Sequence, residues 1–525
     1  MGSCGSHKAI KVCEVISVMT HPIKLSILPL LRGLFVCLFM LAGLSYIQGL
    51  QAQSAEPTES FLSESEPERP NIILIVSDDQ GYNELSPVGN RDIHTPALDR
   101  LAKEGTRLTN FYVTGPGCTP SRSGFLTGRY PQRNGLYDMI RNDWAPSREP
   151  EDALTPLQSR RQPEMTLGLD EREYLISDML KKAGYINGIF GKWDFGRLPH
   201  YLPLQRGFDD FLGIVNTGTD YWTHERYGTP SLYRNNELVN EDGFLIELEG
   251  REVERFIREH HDRPFFLYYP SFAPHMSSNL SGRRISPPQK YVDLYKDLDV
   301  SDRYREHLAA ISSLDAQIGN MLDLLDEYEI AANTLIIFFS DQGAGGLGDN
   351  TPFRGGKGNL WEGGVRVPFL ARWPGIIPEG TVSDTFVSSL DLMPTLASVA
   401  GTSIPDAIMD GRNMISVLKG DPDTIREEMF WEWHGQRAAR IGNYKWVDID
   451  GETGGLFDLS QDKEEQIDLS DEEPEQLKRM VGRWDDWRQE MEDAEYRGPF
   501  PPWNEYLREF HRVGHGPVHH WLTED

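Results

Sequence analysis

The sequence predicts an α/β protein whose principal sheet is mostly parallel, with helices on both faces. Two apolar runs, residues 71–77 and 334–340, each end in acidic or amide side chains and a glycine: Asp78-Asp79-Gln80-Gly81 and Asp341-Gln342-Gly343. Strands buried on both faces end this way at the carboxyl edge of a sheet, where ligand sites lie. Helical segments, at 96–104, 176–183 and 303–327, fall between the two runs, and that alternation indicates a sheet covered on both sides. After about residue 425 the pattern turns to short strands, at 428–433, 437–449 and 455–459, and then to a polar helix at 473–492.

Taken in order, residues 1–54 read as a signal peptide. Lys8, Lys11, Lys24 and Arg32 precede the apolar run 33–47, and small residues follow around Ala52-Gln53-Ser54. That run is short for a membrane span of about 20 residues, so cleavage near residues 52–55 is expected, with no stable span afterwards and a periplasmic or secreted location. Residues 55–69, rich in Ser, Glu and Pro, read as a solvated linker. A catalytic domain is expected over 70–425, and a subdomain with a tail over 426–525. The chain has 525 residues, 39% of them hydrophobic, which is ample for an enzyme core. Its formal net charge of −29 excludes nucleic acid as a partner and means that an anionic substrate needs a local basic pocket.

Cys4, Cys13 and Cys37 lie in the leader, which leaves Cys118 alone in the exported chain, without an internal disulfide partner. It sits in Gly117-Cys118-Thr119-Pro120-Ser121-Arg122, which reads as a loop entering a helix with Thr119 as the cap and Pro120 at the first helical position. Unpaired amides, the positive helix end and Arg122 would favour an anion there and a charged nucleophile beside it. Asp78, Asp79, Asp341 and Gln342 offer the oxygen donors of a calcium or magnesium site.

The string Cys-x-Pro-Ser-Arg with Thr127-Gly128 resembles the signature of the formylglycine-dependent sulfatases. Gly191-Lys192-Trp193, Ala273-Pro274-His275 and Arg354-Gly355-Gly356-Lys357-Gly358, continuing to Pro368, resemble the same family in order and spacing, and the likeness runs from Asn71 to about Glu492. It implies a large mixed, mostly parallel sheet, plus a small C-terminal antiparallel sheet with a packed helix. It implies that a maturation enzyme oxidises Cys118 to formylglycine, and that Asp78, Asp79, Asp341, Gln342 and the modified Cys118 hold one divalent cation, usually calcium. It also implies that Lys192 and Lys357 contact sulfate and the aldehyde hydrate, that Arg122 steadies the hydrate, and that His275 protonates the departing alcohol. Hydrolysis then proceeds by attack of the hydrate on sulfur.

Two positions depart from the family pattern. Gln342 stands where Asn or His is commoner, keeping the carbonyl oxygen on a longer arm. Asp194 replaces the histidine of Gly-Lys-Trp-His, which takes a proton from the sulfated hydrate; it is either a working substitute or a sign of lost turnover. The leading expectation is an exported sulfatase acting on a sulfated oligo- or polysaccharide. The alternatives are a phosphate or phosphonate ester hydrolase of the same superfamily and a silent sulfoglycan-binding protein. The segment Asp220-Tyr221-Trp222-Thr223-His224 is read either as a sugar-binding loop, with Asp220 and His224 on hydroxyls, or as a packed loop; His434 is a weaker candidate of the same kind. The tail histidines, His511, His515, His519 and His520, lack acidic or cysteine partners at ligand spacing and read as surface-bound.

Overall fold

The structure, a computed structural model, describes residues 69–140, 168–226, 229–278, 284–421, 424–449 and 453–492. The expected leader, the linker up to residue 68, residues 142–167 of the segment 142–171, which reads as an insertion suited to an extracellular sulfated carbohydrate, and the tail histidines lie outside the described residues. No described helix is long and apolar enough to cross a membrane.

In chain order the principal strands are β1 (Asn71–Ser77), β2 (Thr106–Leu108), β3 (Ile186–Lys192), β4 (Asp210–Ile214), β5 (Leu232–Arg234), β6 (Glu237–Leu238), β7 (Phe265–Pro270), β8 (Thr334–Ser340), β9 (Phe369–Arg372) and β10 (Thr381–Ser383). They form one ten-stranded sheet in the order β10-β2-β9-β8-β1-β7-β3-β4-β5-β6. The central run from β8 to β4 is parallel, whereas β9 pairs antiparallel with β8 and β5 pairs antiparallel with β4. The carboxyl ends of β8, β1, β7 and β3 therefore lie side by side along one edge.

All seven residues of β1 and all seven of β8 are buried, as their unbroken apolar runs require. Alternate residues of β1 serve opposite faces, because successive side chains of a strand point apart. Ile73 and Ile75 pack with α1 (Pro96–Lys103), α4 (Leu245–His260) and α5 (Asp302–Glu327). Ile72, Leu74 and Val76 pack with α2 (Cys118–Thr127), α3 (Ile176–Lys182) and α6 (Leu392–Val399). The three expected helices thus form within one residue of their predicted ends. Ser301 caps α5 by accepting from the Tyr304 amide.

The C-terminal strands β11 (Glu428–Trp433), β12 (Gln436–Ile441), β13 (Tyr444–Ile449) and β14 (Thr453–Asp458) form an antiparallel meander. The single strand expected at 437–449 is in fact a hairpin, since Gly442, with φ of 60°, makes a tight turn there. Helix α7 (Pro474–Glu492) packs Met480, Trp484, Trp487 and Met491 on this sheet, in one core with Tyr112, Leu360 and Trp361 of the larger part.

A buried ion cluster ties the two parts together. Lys445 Nζ on β13 lies 2.9 Å from both Glu362 Oε1 and Glu465 Oε1, all three side chains being buried. Glu465 also accepts from the Glu362 amide at 2.7 Å. Lys445→Met leaves the buried Glu465 without its cation, while Glu362 keeps Arg366 at 3.1 Å, and is expected to destabilise folding by about 3–5 kcal/mol, to be read as the shift in a urea unfolding midpoint.

Candidate active site

The site is built where the parallel strand ends meet. Ser77 and Ser340 pair in register, so the residues that follow, Asp78-Asp79 and Asp341-Gln342, emerge side by side. The Asp341 amide donates to the Ser77 carbonyl at 3.0 Å, and the Asp78 amide donates to the Ala273 carbonyl at 3.0 Å. That second bond joins the segment bearing His275 to the same edge. Lys192 ends β3, and Asp194 follows two residues later.

Cys118 arrives from the opposite side as the first residue of α2. The cap position falls on Gly117, with no side-chain cap, so the expectation for Thr119 is corrected. Thr119 Oγ1 instead donates to Asp194 Oδ2 at 3.0 Å. Pro120 is the third helical residue rather than the first, which is tolerated because the amides of the first turn have no intrahelical acceptor. Gly117 is required by space: a Cβ there would meet the Trp433 ring at 2.8 Å. Gly191, with φ of 133°, leaves no room beside the Pro270 carbonyl, so β3 and β7 close up just before Lys192.

The expected residues converge around the thiol. Cys118 Sγ is 3.3 Å from Asp78 Oδ1, 3.4 Å from Gln342 Nε2 and 3.5 Å from Lys357 Nζ. Lys192 Nζ donates to Asp78 Oδ2 at 2.8 Å, and Lys357 Nζ donates to both Asp79 oxygens at 2.6 and 2.7 Å. Arg122 Nε donates to Asp341 Oδ2 at 3.0 Å, and its Nη2 lies 3.8 Å from Asp78 Oδ1. One ligand atom from each of Asp78, Asp79, Cys118 and His275 fits within 4.8 Å of all the others. Asp341 Oδ1 accepts from the Asp79 amide at 3.1 Å, and the Gln342 amide touches Asp79.

The donors suit a hard divalent cation. Gln342 reaches the carboxylates despite its longer arm, and its Oε1 is buried without a hydrogen-bond partner among the described residues. A half-turn of the side-chain amide would bring that oxygen toward the carboxylates. Asp79 and Asp194 both adopt left-handed backbone, with φ of 67° and 65°. Such conformations in non-glycine residues cluster at functional sites.

The electrostatics separate the roles. Burial raises the proton affinity of Asp78, but Lys192, His275, Arg122 and Lys357 outweigh it and hold the carboxyl well below its usual range. Burial, reinforced by Asp78, pushes the Cys118 thiol well up despite both lysines. The charged nucleophile expected from the helix end is therefore not a thiolate: the unmodified side chain stays protonated. Burial also raises Asp341 and Asp194. Burial and then Lys357 depress His275 to about 4. Its Nδ1 lies 2.8 Å from the Met276 carbonyl, and its Nε2 lies 3.6 Å from Asp79 Oδ2.

The His275 shift predicts a pH effect in protein freed of metal by chelation. The folded chain resists protonating this ring, so its contribution to stability is complete above about pH 6.5 and fades as pH falls toward 4. The total is about 3 kcal/mol. Urea unfolding across that window should show a steeper acid loss for the wild type than for His275→Gln.

The loop expected to bind sugar turns its polar groups inward. Asp220 Oδ1 accepts from the amides of Trp222 and Thr223 at 2.8 Å, and its Oδ2 accepts from Ser277 Oγ at 2.8 Å. His224 is buried, with Nε2 3.1 Å from the Gly243 carbonyl. His434 stacks on Trp433 and lies 2.9 Å from Asp138. The sequence reading gave Thr119 only a capping role and did not single out Trp433 or Tyr268, whose hydroxyl is 3.5 Å from Arg122 Nη1. Only Gly117, a residue without a side chain before the cysteine, hinted at something packed there.

Comparison with known proteins agrees with this geometry. A sulfatase family model matches residues 70–402, and a model described as N-sulphoglucosamine sulphohydrolase, C-terminal, matches residues 356–484. The chain is 33% identical over 400 residues to N-acetylgalactosamine-6-sulfatase of Canis lupus familiaris, covering 72% of each protein. The crystal structure of Ps i-CgsB superposes with a TM-score of 0.74 at 28% identity, covering 86% of this chain and 98% of that one. The same protein solved in complex with k-i-k-neocarrahexaose superposes with a TM-score of 0.73 at 26% identity, covering 87% of this chain and 100% of that one. With a family model spanning most of the chain and a relative 33% identical over 72% of it, this protein belongs to the sulfatase family and is a sulfuric ester hydrolase.

Proposed function

We propose that this chain is an exported sulfatase, periplasmic or secreted, that removes sulfate from a carbohydrate. It uses formylglycine made from Cys118 by a maturation enzyme and one divalent cation, calcium with magnesium as the alternative. Asp78, Asp79, Asp341 and Gln342 would hold that cation. The observation that carries the reading is a charge balance: four carboxylates, Asp78, Asp79, Asp194 and Asp341, face three cations, Arg122, Lys192 and Lys357, around one buried thiol. With every group ionised such a cluster carries one negative charge, and it becomes net positive on taking up a divalent ion. That supplies the local attraction for an anion which a chain of net charge −29 otherwise lacks.

When bound, the cation polarises sulfate oxygens as a Lewis acid. The residues of the chain divide the remaining work. Lys192 and Lys357 would place ammonium groups on sulfate oxygens, where charge accumulates as the ester breaks. Arg122 is fixed by Asp341 and holds the reacting side chain at position 118. His275 keeps Nδ1 on the Met276 carbonyl, which leaves Nε2 to pass a proton to the departing alcohol oxygen. A bound sulfate ester offsets the positive charge of Lys357 and so raises the proton affinity of that ring. Asp194, oriented by Thr119, is placed to take a proton as sulfate leaves.

A carbohydrate substrate is supported by the relative named for N-acetylgalactosamine 6-sulfate and by the neighbour solved with a neocarrahexaose. The test is sulfate release from N-acetylgalactosamine 6-sulfate, k-i-k-neocarrahexaose and p-nitrophenyl sulfate, with p-nitrophenyl phosphate in parallel. Mass spectrometry of the peptide around residue 118 is run on the same preparation. Faster turnover of the phosphate ester, or full activity with an intact cysteine, would sink the reading.

A further inference from the structure

We infer that Trp222 is a sugar-stacking platform beside the sulfate pocket, binding a pyranose ring of the substrate. This rests on the carbohydrate-sulfatase reading above and specifies how that site grips the part of the substrate that does not react. The polar members of its loop, Asp220 and His224, are engaged within the protein. Trp222 still reaches solvent: at 45% exposure it is the only exposed Phe, Tyr or Trp side chain among the described residues. Its neighbour Tyr221 is fully buried.

The exposed ring is also held in place. The indole Nε1 donates to the Ser286 carbonyl at 2.9 Å, and the ring rests on Phe244 with centroids 5.4 Å apart. A side chain free to rotate would lose entropy on binding, and one already fixed loses little. Its backbone is fixed too, since the Asp220 carboxylate accepts from the amides of residues 222 and 223.

This turn is bolted to the segment that carries His275. Tyr221 OH donates to the His275 carbonyl at 2.6 Å, and Ser277 Oγ donates to Asp220 at 2.8 Å. The loops that follow β4 and β7 thus form one unit at the same sheet edge as the cysteine, and the indole extends from that unit, one residue from the tyrosine that holds the His275 carbonyl. A pyranose presents C–H bonds carrying partial positive charge on its face, and these meet the negative face of an indole. An uncharged ring also accepts a sulfated sugar without the repulsion that an acidic surface imposes.

The test compares two substrates in wild type, Trp222→Ala and Trp222→Phe. One is p-nitrophenyl sulfate; the other is whichever of N-acetylgalactosamine 6-sulfate and k-i-k-neocarrahexaose the wild type hydrolyses faster. In Trp222→Ala the ratio of kcat/KM for the sugar to kcat/KM for the aryl ester should fall about ten-fold, chiefly through KM, while Trp222→Phe should recover most of it. A ratio unchanged in Trp222→Ala overturns the platform and leaves the sulfatase reading intact. Loss in both substrates alike, with no recovery by Phe, also overturns it, because the ring would then be structural. A wild type that cleaves the aryl sulfate and neither sugar overturns the platform together with the carbohydrate assignment. A wild type that cleaves none of the three sulfate esters defeats the proposed function itself.

Discussion

Cys118→Ala should abolish sulfate release, with a fall in kcat on the order of 10⁶-fold, the scale seen when a covalent nucleophile is removed. Burial, reinforced by Asp78, disfavours the thiolate at this position. What the position offers is a place: the first residue of a helix, against Asp78, Gln342 and Lys357. The variant should still fold, since losing one buried sulfur costs roughly 1 kcal/mol. Kinetics with p-nitrophenyl sulfate and a thermal melt on the same sample check both halves. A folded alanine variant with more than a small fraction of wild-type turnover would remove position 118 from the chemistry.

Asp194→Asn is the second large effect expected, a fall in kcat of about 10²–10⁴-fold, typical of losing a positioned general base. Asparagine keeps an oxygen for Thr119 Oγ1 and keeps the volume, so the change isolates basicity. Asp194 is buried with its Oδ1 lacking a hydrogen-bond partner among the described residues, and its Oδ2 lies 3.8 Å from Lys192 Nζ. Burial lifts its proton affinity against the pull of Lys192 and Arg122, which suits a group that must accept a proton. Release of sulfate should slow more than the first release of alcohol, giving a burst of p-nitrophenol. Equal activity in Asp194→Asn, or a gain in Asp194→His, would favour a chain whose turnover is impaired.

Much of this site is legible in the sequence because strands end where their apolar runs end. Asp78-Asp79 and Asp341-Gln342 follow two such runs, and parallel pairing in register makes them neighbours. The central fold is readable for the same reason. The hairpin at Gly442 was harder to read, because apolar residues continue on either side of it. Asp220 and His224 show the opposite limit. A polar side chain that faces solvent and one that closes a turn are written alike, and only the coordinates show their bonds to residues 222, 223, 243 and 277. Trp433 is hidden for a further reason: its contact with Gly117 spans over three hundred residues, a separation that local pattern does not encode.

That contact bears on timing. Cys118 has no exposed surface, and the glycine before it lies beneath an indole from the far end of the chain. Gln436, in the same hairpin, grips the Gly358 carbonyl and the Leu360 amide next to Lys357. A catalyst that converts Cys118, as proposed above, would find the cysteine more open while the polypeptide is still extended, before the C-terminal sheet docks over Gly117. On that proposal the topology favours conversion first and docking second.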